Sequence, residues 1–121
     1  VGRGTRDCHV SLWKGYQGGR VGSCWIQDEA DGPLRRLELV AEVEAAAGEG
    51  ENAGPSRRRV PVHASGPAWL GDRIFFAAEL DGCGNLWSAS SEGSDLRQHS
   101  FHSGLYARNP SSDGQGSVVY Q

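Results

Sequence analysis

Apolar positions in this chain come in short bursts rather than helical stripes. Arg73-Ile74-Phe75-Phe76-Ala77, Asn85-Leu86-Trp87-Ser88-Ala89, Asp95-Leu96-Arg97-Gln98-His99 and Ser117-Val118-Val119-Tyr120 each end in Gly, Asp or Ser-rich text. Leu12-Trp13-Lys14-Gly15-Tyr16, Gly22-Ser23-Cys24-Trp25-Ile26 and Leu34-Arg35-Arg36-Leu37 follow the same habit nearer the start. Bursts of this length at roughly ten-residue spacing predict short strands in an antiparallel meander. Asp31-Gly32, Asp81-Gly82 and Asp113-Gly114 fall between bursts and are expected to supply positive-φ hairpin turns.

From residue 38 to 66 the pattern lapses. Glu42-Val43-Glu44-Ala45-Ala46-Ala47 has room for a helical turn or two. The next stretch, Gly48 to Ser56, has almost nothing to bury, and Arg57-Arg58-Arg59 closes it. This reads as a charged, solvated insertion or linker, expected to be disordered. Glu38, Glu42, Glu44, Glu49 and Glu51 offset the three arginines, so a charge-balanced loop explains them more simply than a nucleic-acid patch.

Comparing the chain with itself sharpens the fold. Gly22-Ser23-Cys24-Trp25, a turn ending in Gly32, and Leu34 to Leu37 recur 62 residues later. The second copy is Gly84-Asn85-Leu86-Trp87, a turn ending in Gly93, and Leu96 to His99. Pro67 to Phe76 is echoed by Pro110 to Tyr120 at an offset of 43 or 44, the length of one four-stranded propeller blade. The longer offset equals one blade plus the insertion. The expected fold is all-β: a β-propeller fragment of about two to three blades of antiparallel four-stranded sheets. A small β-sandwich is the competing architecture. Residues 1–37 would be part of one blade, 38–66 the insertion, 67–109 a complete blade and 110–121 the first strand of the next. Trp25 and Trp87 would fill wedges between blades.

Composition narrows the function. The 121 residues include 18 Gly, about twice the usual share, which favours turns over long helices. Fifteen acidic and twelve basic side chains give a net charge of −3, against nucleic acid as a partner. No apolar run approaches the roughly 18 residues of a membrane span, so no membrane is expected as a partner. Cys8, Cys24 and Cys83 are odd in number and widely spaced. They give neither a disulfide framework nor a CxxC pair. Pro110 disqualifies Asn109-Pro110-Ser111 as a glycosylation acceptor. A reduced, cytoplasmic setting is expected.

Local chemistry finds little support. His99 and His102 have HxxH spacing, but that spacing pairs ligands on a helix, and this stretch reads as a strand end. His9 beside Cys8 lacks further ligands. No Gly-x-Ser-x-Gly occurs, and no serine has a base nearby in sequence. Gly48 to Ala53 satisfies GxGxxA, yet it follows no apolar strand, and its two glutamates would repel a phosphate. No catalytic, cofactor-binding or metal residues are assigned, and no cofactor is expected.

The run Trp13 to Ile26 resembles the W-K-x-Y-x-G-G-x-x-G-x-x-W-I stretch of tricorn proteases. Trp69-Leu70-Gly71-Asp72-Arg73-Ile74-Phe75-Phe76 and Asp81-Gly82-Cys83-Gly84-Asn85-Leu86-Trp87-Ser88 resemble the same family. Gly93 to His99, Leu105 to Asn109 and Asp113-Gly114 continue the likeness. It covers about Leu12 to Leu37 and Gly66 to Gln121. The 38–66 stretch is longer than the family's loop, and Cys24, Ala78 and Cys83 depart from its pattern.

The resemblance implies the amino-terminal six-bladed propeller of a large cytosolic serine peptidase. In that family the subunits assemble as hexamers and trim oligopeptides, and the catalytic residues lie outside the propellers. This portion would then guide or gate peptide access, with peptide substrates, the remaining blades, peptidase domains and like subunits as partners. Two other readings are a TolB- or WD-type binding propeller without activity and the gate of a prolyl-oligopeptidase-like enzyme. Val1 in place of Met and an end in mid-blade at Gln121 are expected of a chain truncated at both ends.

Overall fold

The structure, a computed structural model, describes the backbone of residues 2–3 and residues 23–44, 57–80, 82–104 and 106–121. The Trp13 to Gly22 part of the family-like run lies outside them. Among the described residues all regular structure is strand. In chain order the strands are β1 Gly2–Arg3, β2 Cys24–Gln27, β3 Leu34–Arg36, β4 Val40–Glu44, β5 Arg57–Pro61, β6 Ser65–Leu70, β7 Arg73–Glu79, β8 Gly84–Ser90, β9 Arg97–Gln98, β10 Ser111–Ser112 and β11 Val118–Val119. They pair as four antiparallel sheets, β1-β2-β3, β4-β5, β6-β7-β8-β9 and β10-β11.

The four-stranded meander is the largest unit. In β7 the period-two alternation buries Ile74, Phe76 and Ala78, while Arg73, Phe75 and Glu79 are only partly covered. In β8 both faces are covered, with Asn85, Leu86, Ser88 and Ala89 buried. Ile74, Phe76, Ala78 and Ala89 share one core cluster with Cys24, Ile26, Leu37 and Leu39. One face of the meander is thus sealed by the β2–β3 end of the preceding sheet. Trp87 packs against this cluster. Trp25 is half-buried and holds the matching ladder place, opposite Arg36 as Trp87 is opposite Gln98.

Positions 62 residues apart share a backbone bond and a ladder register. Leu37 N donates to Cys24 O at 2.8 Å, and His99 N donates to Leu86 O at 2.8 Å. Ile26 stands opposite Arg35, and Ser88 opposite Arg97. The turn bonds fall one residue out of that step: Gly32 N closes its turn on Glu29 O, and Gly93 N, 61 residues on, closes its turn on Ser90 O, both at 3.0 Å. The shorter echo has its own mark. Gly66 and Asn109, 43 residues apart, both take positive φ, +59° and +48°, just before the prolines that were aligned.

Three expectations need correction. The 38–66 stretch, expected to be disordered, holds the β4–β5 ladder and buries Leu39, Ala41, Val62 and Ala64. Its flanks alternate apolar and polar residues, and the alternation is lost when the segment is averaged with its polar centre. Glu42 stands opposite Arg59 and Glu44 opposite Arg57 in that ladder, but the one ion pair between the two strands among the described residues is Arg57 with Glu42, exposed and at 4.0 Å. Glu42 to Glu44 are strand, not helix. Residues 45–56, including Gly48 to Ala53, lie outside the described residues.

The other two are smaller. Residues 110–121 carry a two-strand hairpin, β10–β11, rather than one strand. Gly82 and Gly114 have positive φ, 84° and 72°, but Gly32 does not. It ends its turn at the fourth position, donating to Glu29 O, where a type I turn favours glycine without a left-handed backbone.

Candidate functional site

The chemically capable side chains gather on the other face of the meander. Phe75 stands opposite Ser88, and Ser88 opposite Arg97. Ser88 has no exposed surface, and its Oγ lies 2.7 Å from His99 Nε2. Arg73 Nε donates to the same oxygen at 2.8 Å. The Arg73 guanidinium also donates to Asp95 Oδ2 at 2.7 Å and to the Asp95 carbonyl at 2.6 Å. Arg97 Nη2 sits 2.6 Å from Asp95 Oδ2. The Arg97 and Arg73 hydrogen bonds hold the Asp95 carboxyl below its usual range.

Arg73 can only donate, so Ser88 Oγ accepts from it. The hydroxyl keeps a second lone pair and its own proton, so it accepts from His99 Nε2 or donates to it according to the imidazole tautomer. Burial pushes the His99 pKa down, and Arg73 and Arg97 push it the same way. The ring is tilted against Phe75 at 4.9 Å between centroids.

A serine on a histidine at this distance is half of a nucleophilic relay. The sequence shows no base near any serine because Ser88 on β8 and His99, just past β9, meet only across the ladder, on the diagonal from the Ser88–Arg97 pair. Only register reveals it. A hydroxyl with no exposed surface cannot meet a carbonyl carbon, and Arg73 already engages one of its lone pairs.

A second cluster ties down the chain after β9. Asn85 Oδ1 accepts from Ser100 Oγ at 3.0 Å and from His102 N at 2.7 Å. Ser100 Oγ accepts from Leu86 N at 2.8 Å. The two histidines of the HxxH spacing serve different partners, since His102 Nε2 lies 3.3 Å from the Tyr120 hydroxyl. Among the described residues no three His, Cys, Asp or Glu side chains gather as a metal site. Cys8 and His9 lie outside the described residues.

Between the sheets, Arg35 forms a clasp. Its Nε donates to Asp28 at 2.7 Å, its Nη1 to Ser91 O at 3.0 Å, and its Nη2 to Glu92 at 3.3 Å. The β2–β3 sheet is thus pinned to the β8–β9 turn. Gly93 in that turn is packed on the Glu38 carbonyl, leaving no room for a Cβ.

Comparison with known proteins decides the family. No family model matches the chain. It is 38% identical over 113 residues to tricorn protease homolog 1 of Streptomyces coelicolor, which covers 92% of this chain and 8% of that protein. It is 30% identical over 117 residues to the tricorn protease of Thermoplasma acidophilum, covering 95% of this chain and 9% of that one. A crystal structure of the tricorn protease matches with a TM-score of 0.63 and 26% identity, over 91% of this chain and 9% of the other. The chain belongs to the tricorn protease family. It spans under a tenth of the length of the tricorn proteins it matches, and its all-β sheets are a propeller segment. Among the described residues no helix is long and apolar enough to cross a membrane.

Proposed function

We propose that this chain is a non-catalytic blade segment of a tricorn-type serine peptidase that degrades oligopeptides in the cytoplasm. It belongs to the amino-terminal six-bladed propeller and guides or gates peptides towards an active site carried elsewhere. Its partners are the remaining blades, the peptidase domains and, through the whole protein, peptide substrates and like subunits of a hexamer.

The observation that carries this reading is the shared ladder. Two successive sheets with the same register and the same bond from Leu37 to Cys24 and from His99 to Leu86 are what consecutive blades require. The buried, fully engaged Ser88 supports a scaffold over a local hydrolase.

The test uses the 121-residue chain with fluorogenic oligopeptides, with and without a serine-directed inhibitor. No inhibitor-sensitive turnover is expected, and measurable turnover would overturn the non-catalytic role. Sedimentation should show association that grows with concentration, because blade faces need neighbours. A concentration-independent, cooperative monomeric unfolding transition would overturn the blade reading.

A further inference from the structure

In the two-stranded β4–β5 sheet, the β4 edge turned away from β5 has no partner strand among the described residues. Val62 N donates to Leu39 O at 2.9 Å, and the ladder continues in step from Val40 opposite Pro61 to Glu44 opposite Arg57. Bonded and non-bonded pairs alternate in an antiparallel ladder. Leu39, Ala41 and Val43 therefore turn their N–H and C=O groups towards β5. Val40, Glu42 and Glu44 turn theirs away. Pro61, which has no N–H to give, fits its non-bonded place opposite Val40. Among the described residues no strand pairs along the outer edge.

A cavity of about 540 Å³ lies against that edge. All five residues of β4 line it, although their side chains alternate between faces, and β5 contributes none. Only the edge of a strand presents consecutive residues in that way. Leu80, Trp87, Leu96 and Gln98 complete the lining.

We propose that this edge binds an extended peptide as a third strand, one that alternates apolar with basic side chains. Three outward N–H and C=O pairs at two-residue spacing match the bonding period of an added strand. The apolar positions of the peptide pack on Leu80, Trp87 and Leu96. Its other positions lie beside Glu42 and Glu44. The cation nearest Glu42 is Arg57 at 4.0 Å, and among the described residues no ion pair engages Glu44. The same charges disfavour a second copy, because antiparallel β4–β4 pairing sets glutamate against glutamate. This proposal stands on the hairpin and its cavity, independently of the peptidase reading.

Amide exchange of the 121-residue chain, titrated with acetyl-Lys-Val-Lys-Val-Lys-amide, tests it. Ala41 and Val43 should be protected without peptide, and Val40, Glu42 and Glu44 only with it. The Glu-Val-Glu-Val-Glu counterpart should bind roughly tenfold or more weakly, the scale of one charged hydrogen bond. Glu42→Lys together with Glu44→Lys should reverse that order. N-methylation of the peptide amides that face the edge should abolish binding while keeping every side chain. Three results would overturn the proposal: no protection at Val40, Glu42 and Glu44, binding indifferent to N-methylation, or unprotected Ala41 and Val43, which would mean the edge is not formed.

Discussion

Arg73 Nε meets Ser88 Oγ at 2.8 Å across β7 and β8, and that one contact orders the polar face of the meander. The same serine oxygen meets His99 Nε2 at 2.7 Å, and the guanidinium also holds Asp95. At the equivalent places of the preceding sheet stand Ile26 and Leu37, both buried in the core. The two sheets share a backbone but present different faces, one apolar and one polar.

Removing that hydroxyl should be costly for its size. Ser88→Ala leaves Arg73 Nε and His99 Nε2 without their shared partner in a covered site. Loss of a buried hydrogen-bonding partner costs about 1–3 kcal/mol. Denaturant midpoints of wild type and variant check this, read through exchange of the β7 and β8 amides. An unchanged midpoint would show that the network contributes nothing.

His99 makes the same face sensitive to pH. Its folded pKa lies below the ordinary histidine value of 6.5, chiefly through burial. A depressed histidine means that the unfolded chain binds the extra proton first, so its contribution is complete above about 6.5 and is lost as pH falls towards the folded value. Protonation also fixes Nε2 as a donor to a serine oxygen that already accepts from Arg73. The midpoint should therefore drop between pH 7.5 and pH 5, and His99→Gln should flatten the slope. Asp28, Asp95 and Asp113, whose pKa values are lowered from 3.8, lose their share only in more acid solution.

Two glycines separate backbone strain from collision. Gly71 has a φ of +60° and open space around its missing Cβ, whereas Gly93 has a φ of +80° and the Glu38 carbonyl in the way. Gly71→Ala should cost about 1–2 kcal/mol, the usual penalty of a left-handed alanine. Gly93→Ala should cost more, because the β8–β9 turn must also lift from the preceding sheet. Equal losses in parallel denaturation curves would refute the tight packing at Glu38.

Particular residues show what was legible in the sequence. Ile74, Phe76 and Ala89 announced β7 and β8 because strand alternation is a local signal, and Trp25 and Trp87 stand on β2 and β8, opposite Arg36 and Gln98. Leu39, Ala41, Val60 and Val62 alternate too, but the glutamates and arginines between them, which face outward from the hairpin, masked the pattern. The Ser88–His99 contact depends on register between strands, and no spacing within one strand encodes it. Trp13 to Gly22 carried the family likeness and lie outside the described residues.

The Arg35 clasp gives a local rather than a global prediction. Its ion pairs with Asp28 and Glu92 are exposed and screened by water, so Arg35→Ala should move the overall midpoint little. Its bond to the Ser91 carbonyl is different, because it joins the β8–β9 turn to the preceding sheet. Arg35→Ala should therefore speed exchange at the Gly93 and Ser94 amides, which close that turn on Ser90, and leave the Phe76 amide as slow as before. Arg35→Lys, which keeps the charge but loses the fork of donors, should behave like alanine at the turn. If lysine restores slow exchange there, the clasp works through charge alone and the Ser91 bond is dispensable.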